Sequence, residues 1–405
     1  MARADDRIGG ERTEAEVHPA GARRPPLDVL VCPDKFRGSV TAPEAAEALA
    51  AGIGSVAGAR ARTVPIADGG EGTVDCCLAA GFSEHRVRVT GATGETLQAR
   101  FATRDGVAVI EAAQACGLAD REPSTRGALS ATTYGVGELI GAALELGCRS
   151  LVVGVGGTAS TDGGAGMLQA LGARLSDRVG TTISHGGGGL GALATVELAS
   201  VEDRLGTCDL VVATDVDNPL LGARGAAAAF GPQKGADRLT IEVLQQGLER
   251  WTRLCGSAPA SAPGSGAGGG IGYGLMLVGA RRVSGAEAVL DLLGVDRLAR
   301  ESSLIITGEG SVDATSLGGK APIAVARRAN RLGVPVIAVA GRSTLTTAQC
   351  REAGIEEVHE LLELAGCSER SIREARSLLR QIGERIAARW CDRGGTQMAI
   401  GSRGA

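Results

Sequence analysis

The sequence predicts an α/β protein with largely parallel sheets, and three observations carry that prediction. Short, apolar, β-branched runs recur along the chain, most are followed by a segment suited to a helix, and the runs end abruptly in glycine or an acid. Strands buried on both faces read as continuous apolar stretches, which is the pattern of parallel sheets covered by helices.

In order, the strand candidates are LDVLVCPD, RTVPIADGG, AVIEAA, SLVVGVGGT, LVVATDVD, SLIITGEG and VPVIAVAG. Ligands of such sheets sit beyond the carboxyl ends of the strands. After the first run, Thr41 and Glu44 fit a capping box ahead of the alanine-rich AAEALAAGI. Asp162 precedes GGAGMLQALGA, a helix that opens with small residues, so its backbone can approach an anion closely. Pro322 suits the first turn of PIAVARRANRLG, which stops at Gly333. The glycine-rich PGSGAGGGIGYG, Pro263 to Gly274, runs straight into the apolar LMLVGA and so reads as a backbone donor surface rather than a linker.

The chain has 405 residues, 44% hydrophobic and 22% charged, enough for two or three domains with proper cores. Residues 1–26 mix both charges with glycine and proline, and are expected to form a disordered extension. Residues 392–405 are expected to be a flexible tail. A net charge of −4 gives no general electrostatic reason to bind nucleic acid or an acidic membrane, so the expected partners are small molecules. Ten cysteines without a CxxC pair read as buried thiols in a reducing cytoplasm. Four histidines, none in a ligand-spaced pair, argue against zinc and leave oxygen to hold any metal. No apolar run approaches the roughly 18 residues that a membrane helix needs.

Lysine is rare: three residues, Lys35, Lys234 and Lys320, against 42 lysines and arginines together. A solvated cation can be either type, whereas a compact ammonium differs chemically where it must reach a point charge such as a phosphate oxygen. All three lie in glycine-bearing segments, PDKFRGS, FGPQKGA and LGGKAP, and the set leans towards phosphate contact at one or two of them.

Acids recur at the strand ends: Asp34, Asp68, Glu71, Asp162, Asp215, Asp217, Glu309 and Asp313. Each alone reads as a cap or turn residue. Repeated at one topological place, they point to a single acidic, glycine-rich cleft. Phosphoryl transfer needs those parts: backbone donors and cations for phosphates, carboxylates for magnesium, and a base for the acceptor hydroxyl. The chain lacks GxSxG, lacks GxGxxG after its first strand, and lacks the HRD and DFG set of protein kinases. Lys320 is followed by Ala321 and preceded six residues earlier by Ala314, so the segment is not a P-loop.

As an ordered set, VCPDKFRGS, PIADGGEGT, TTYGVGELI, VGGTASTDGGAGMLQALGA, TDVDNPLLG, FGPQKGA, GAGGGIGYGL, ITGEGSVD and GGKAPIAVA resemble the bacterial glycerate kinase family of the two-domain type, over roughly residues 27–365. The resemblance implies ATP-dependent phosphorylation of D-glycerate, most often at the 2-hydroxyl, with Mg2+. It also implies two α/β domains with the active site in the cleft between them. One is flavodoxin-like and discontinuous, placed here at 27–85 and 290–391, and the other is an inserted mixed α/β domain at 86–289. A homodimer stays open.

The resemblance further implies roles for individual residues. Asp215 is the preferred general base, with Lys320 and Asp68 beside it in the catalytic set. Asp34, Arg37, Ser39, Gly69, Gly70, Glu71, Gly156, Gly157, Ser160, Thr161, Asp162, Lys234, Gly268, Gly269 and Gly308 are expected around substrate or phosphate, and Glu309 and Asp313 around the metal. The family often reads Asp-Ser-Phe-Lys-Gly-Ser where this chain has Asp34-Lys35-Phe36-Arg37-Gly38-Ser39, so Arg37 takes the place of that lysine. Ser311 and Thr315 also depart from the common arginine and glutamine. Phe36, Phe230, Tyr134 and Tyr273 fall inside motifs and read as supporting core residues more than as an adenine stack. Trp251 and Trp390 read as packing. Two rival readings remain, a kinase of another small hydroxy acid and a ligand-binding relative without catalysis.

Overall fold

The computed structural model describes residues 26–119 and 121–401, with side chains described to Asp392. The expected N-terminal extension therefore lies almost wholly outside the described residues.

Followed along the chain, the strands leave one sheet, build a second and return. β1 (Leu27–Pro33) and β2 (Ala59–Thr63) start the first sheet. β3 (Ser83–Thr90), β4 (Thr96–Arg104), β5 (Val107–Glu111) and β6 (Ser150–Gly154) belong to the second. A small hairpin, β7 (Arg174–Ser176) and β8 (Thr195–Glu197), stands apart, and β9 (Asp209–Ala213) and β10 (Arg281–Val283) complete the second sheet. β11 (Leu304–Val312), β12 (Val336–Ser343) and β13 (Glu357–Glu360) then complete the first.

The first sheet is parallel throughout, in the order β13-β12-β11-β1-β2. Counting only its own strands, that is the 2-1-3-4-5 order of flavodoxin-like folds, whose switch point falls between β1 and β11. Pro33 pairs with Gly308 there, which sets Asp34 beside Glu309 at the carboxyl edge. The second sheet, β10-β9-β6-β5-β4-β3, is parallel from β5 to β10 and antiparallel at β3 and β4. Its register lines up Glu111, Gly154, Ala213 and Val283, so the residues that follow them form one rim. The chain is thus an α/β protein of two sheets, each with its own helices.

Helix Ala42–Gly54 carries the Thr41–Glu44 capping box foreseen in the sequence. It packs with helix Ala375–Gly401 on the outer face of the first sheet, through Ala45, Leu49, Leu379, Ile382 and Ile386. That last helix runs on past Asp392, where a loose tail is expected: once its first turns are packed, each further residue adds a backbone hydrogen bond at no new nucleation cost. Helix Ala321–Arg331 begins with Pro322 in its first turn, as expected.

Helix Gly285–Leu292 lies between the sheets. Ala286, Val289 and Leu290 join the core of the first sheet, whereas Ala288 packs on Val152, Val211 and Ala213 of the second. Ala102 and Val109 of the second sheet reach the same core, so one apolar layer serves both units. The expected domain crossings at 85/86 and 289/290 fall inside β3 and inside this helix. We propose crossings instead in the turns just before Ser83 and just after Val283.

The loop Asp68-Gly69-Gly70 rests on the rim of the second sheet, and the contact is glycine on glycine. A Cβ on Gly154 would lie 2.1 Å from the Gly69 carbonyl oxygen, one on Gly285 would lie 1.9 Å from that of Asp68, and one on Gly156 would lie 2.9 Å from the Gly70 Cα. Only residues without Cβ allow backbones this close. Gly154→Ala should therefore lower the thermal unfolding midpoint by several degrees, equivalent to about 1–3 kcal/mol of overpacking. Gly54→Ala, where a Cβ meets nothing within 4 Å at a helical position, should leave the midpoint unlowered or raise it slightly in the same melt.

Candidate active site

The two carboxyl rims meet around that loop, and the predicted residues divide between them. On the rim of the second sheet, Asp68, Gly70, Gly156, Gly157, Asp215, Lys234, Gly268 and Gly269 line one cavity of about 200 Å³. Leu118, Val155, Val216 and Phe230 give it an apolar wall. At the switch point of the first sheet stand Asp34, Glu309 and Lys320. Asp34 joins the two groups, because the charges of both Asp68 and Glu309 act on it.

Asp215 follows β9 and caps helix Gly285–Leu292. Its Oδ1 accepts from Ser284 Oγ at 2.6 Å and from the Gly285 N–H at 2.9 Å, and its Oδ2 accepts only a long 3.4 Å bond from the Ala286 N–H. One oxygen is held and the other is available. Burial raises its pKa, the Ser284 hydrogen bond opposes this, and the nearby Asp68 charge adds to it. Asp68 accepts from the Gly70 N–H at 3.1 Å. Arg282 pairs with Asp217 at 2.6 Å and fixes the turn that follows Asp215.

Lys234 is buried, and its ammonium donates to the Ser160 carbonyl and, at 3.4 Å, to Thr161 Oγ1. Ser160 and Thr161 are thus occupied in holding the lysine. Burial lowers the Lys234 pKa to about 8. Lys320 leads helix Ala321–Arg331, and its Nζ lies 3.6 Å from Glu309 Oε2, while Glu309 Oε1 accepts from Ser316 Oγ at 2.6 Å. An ammonium at a helix N-terminus beside a switch point is a place for phosphate.

Several expected residues point elsewhere. Asp162 is fully buried, and its carboxylate accepts from the Thr133 N–H and Oγ1, both at 2.9 Å, and from the Gly164 and Gly166 N–H groups, so it ties two loops together. Asp313 accepts from the Thr315 N–H and Oγ1 within its own turn, which holds its pKa below the usual carboxylate range. Ser39 donates to the Ile372 carbonyl, and Gly308 serves strand packing, since a Cβ there would lie 1.9 Å from the Val339 oxygen. Arg37 and Glu71 are exposed, and Lys35 donates to the Glu71 carbonyl. Gly69 is part of the glycine seat. Tyr273, Phe36 and Trp251 are buried, Tyr134 stacks on His185, and Phe230 alone of the motif aromatics lines the cavity. Cys32, Cys76, Cys77, Cys116, Cys148 and Cys350 are buried as expected, whereas Cys367 is exposed.

Two residues escaped the sequence reading. Glu111 ends β5, is buried, and accepts from the Gly72 and Val74 N–H groups at 3.2 and 3.3 Å, anchoring the start of helix Thr73–Ala79. Its place at the end of the run AVIE was the available signal. Arg328 is buried, with Glu287 at 2.7 Å, Asp291 at 2.7 Å and Asp296 at 3.2 Å around its guanidinium. It clamps helix Ala321–Arg331, led by Lys320, to helix Gly285–Leu292, capped by Asp215.

Among the described residues, no group of three acidic, histidine or cysteine side chains is arranged to hold a metal by itself. No helix among them is long and apolar enough to cross a membrane.

The chain matches the Glycerate kinase family over residues 29–391. It belongs to that family. The glycerate kinase of Bacillus subtilis strain 168 is 41% identical over 372 residues, covering 89% of this chain and 97% of that protein. The glycerate 2-kinase of Escherichia coli K12 is 38% identical over 388 residues, covering 94% of this chain and all of that one. The fold agrees: a crystal structure described as a glycerate kinase 2 from Salmonella typhimurium LT2 superposes with a TM-score of 0.79 at 36% identity, over 92% of this chain and 100% of that chain. The protein is therefore an enzyme, a kinase of the glycerate kinase family.

The acids make the apo site sensitive to pH. Burial, then the Asp68 charge, raises Asp34 to about 7, opposed by the Lys35 N–H and ammonium. A carboxyl whose folded pKa lies above its unfolded value of about 3.9 stabilises the fold fully below that value and loses the contribution as pH climbs towards 7. Asp34→Asn should therefore gain on the wild type between pH 4.5 and 7.5, by on the order of 3 kcal/mol at one pKa unit per 1.36 kcal/mol. Paired thermal melts in magnesium-free buffer measure the difference, and a constant gap across that range contradicts the assignment.

Proposed function

We propose that this chain transfers the γ-phosphoryl group of ATP to the 2-hydroxyl of D-glycerate, with Mg2+, giving 2-phosphoglycerate. The observation that supports the reading most directly is the junction of two unlike half-sites. One is a cleft holding two carboxylates and a lysine, and the other is a switch-point rim with Lys320 at a helix N-terminus. The name of the Escherichia coli relative, a glycerate 2-kinase, supports the choice of hydroxyl.

In this reading the pocket takes the acceptor acid and the rim of the first sheet takes the nucleotide phosphates. Lys320 exchanges Glu309 for a phosphate oxygen. Asp215 Oδ2 receives the hydroxyl proton as the phosphoryl group arrives, while Ser284 and the Gly285 N–H hold Oδ1 and so fix the plane of the carboxylate. Its raised pKa makes it a better base than an ordinary aspartate.

The sequence reading set Glu309 and Asp313 around the metal, with Asp68 and Glu71 as further candidates; Glu309 accepts from Ser316 and faces Lys320, and Asp313 Oδ1 accepts from Thr315 within its own turn. Asp34 and Asp68 fit better, because their mutual repulsion is what a cation relieves. Mg2+ commonly takes only one or two carboxylates and completes its shell with phosphate and water. When bound, it would neutralise charge on the transferring phosphate.

Asp215→Asn should lower kcat with D-glycerate by about 10²- to 10⁴-fold with little change in KM for the acid. Lys320→Met should cost roughly 10- to 150-fold, the worth of one charge-assisted hydrogen bond. Both are read in a coupled ADP-release assay, and phosphorus NMR of the product identifies the hydroxyl. Full activity in Asp215→Asn removes Asp215 from the mechanism, and a faster rate with another hydroxy acid reassigns the substrate.

A further inference from the structure

Of the three lysines, Lys234 alone is buried, at 4% exposure, and it has no carboxylate within ion-pair distance among the described residues. Two of its N–H groups meet neutral oxygens, the Ser160 carbonyl and Thr161 Oγ1, and the third has no partner among the described residues. The charge of Asp162 acts on it from beyond ion-pair distance, but that carboxylate already accepts from the Thr133, Gly164 and Gly166 N–H groups, so the buried ammonium has no direct ion pair and a ligand anion would supply one. Lys234 lines the same cavity as Asp68 and Asp215, beside Gly157, Thr158 and Gln233.

The cavity limits what that anion can be. At about 200 Å³ it is smaller than the 300–1,000 Å³ of drug-sized ligand pockets, a size that suits a short acid better than a whole nucleoside triphosphate. Asp215 in its wall offers an available carboxylate oxygen to a hydroxyl. A short hydroxy acid suits these groups: its anion meets the lysine and a hydroxyl meets an aspartate.

We propose that Lys234 is the carboxylate anchor of the acceptor site, the residue that makes this kinase select a 2-hydroxy acid over the corresponding neutral polyol or amide. The inference rests on the functional reading above and sharpens it. The two functional lysines divide their work, with Lys320 serving phosphate and Lys234 serving the acceptor. The sequence reading left Lys234 among the residues around substrate or phosphate; its place beside Asp68 and Asp215 in one cavity favours the acceptor acid.

The test compares wild type, Lys234→Met and Lys234→Arg with D-glycerate and with neutral D-glyceramide, each over a range of ATP concentrations. The wild type should favour glycerate strongly in kcat/KM. Lys234→Met should lose roughly 10- to 150-fold with glycerate, change little with glyceramide, and keep KM for ATP within about twofold. Lys234→Arg should retain part of the preference. An increase in KM for ATP with KM for glycerate unchanged would overturn the assignment, as would a preference that survives Lys234→Met. Should the methionine variant not fold, a wild type that accepts glyceramide as readily as glycerate overturns the anchor by itself. A wild type inactive on glycerate but active on another acid overturns the functional reading instead.

Discussion

The site depends on how closely two backbones approach. Asp68-Gly69-Gly70 of the first unit sits on Gly154, Gly156 and Gly285 of the second at distances that leave no room for a side-chain carbon. Asp34 is a neighbour of Asp68 within the first unit, and this contact brings Asp68 within electrostatic reach of Asp215 as well. Without it, two carboxyl rims would each hold an incomplete set of groups. The glycines of the motifs therefore act here as spacers set to zero rather than as flexible joints.

Around that seat the charges are sorted by environment. Asp34, Asp215 and Glu309 are raised by burial, while Asp313 is lowered by its turn. Acids crowded in this way favour a proton or a cation nearby, and a kinase brings both: a hydroxyl that must give up its proton and a metal that accompanies the nucleotide.

Much of this was legible in the sequence, and the reasons differ by element. The strands were readable because parallel strands are apolar on both faces, and Thr41 with Glu44 because a capping box is local. The acids at strand ends were readable as a group because topology gathers the carboxyl ends. What their side chains touch was not. Asp162 looks in the sequence like Asp215, yet one closes a buried turn with Thr133 and the other borders a cavity, a difference made by residues 29 and 69 positions away. Glu111 and Arg328 were missed for the same reason, since their partners come from other segments. The crossing expected at 289/290 falls inside helix Gly285–Leu292, which serves two cores, and its apolar pattern does not say which sheet each face meets.

The Arg328 clamp carries one more implication. Its three carboxylates come from the stretch 287–296, and the arginine sits near the far end of the helix that Lys320 begins. Guanidinium stays ionised at any physiological pH, so the joint does not loosen when the acids nearby titrate. One side chain thus ties the helix that Lys320 begins to the helix that Asp215 caps, and the two are set from a common joint.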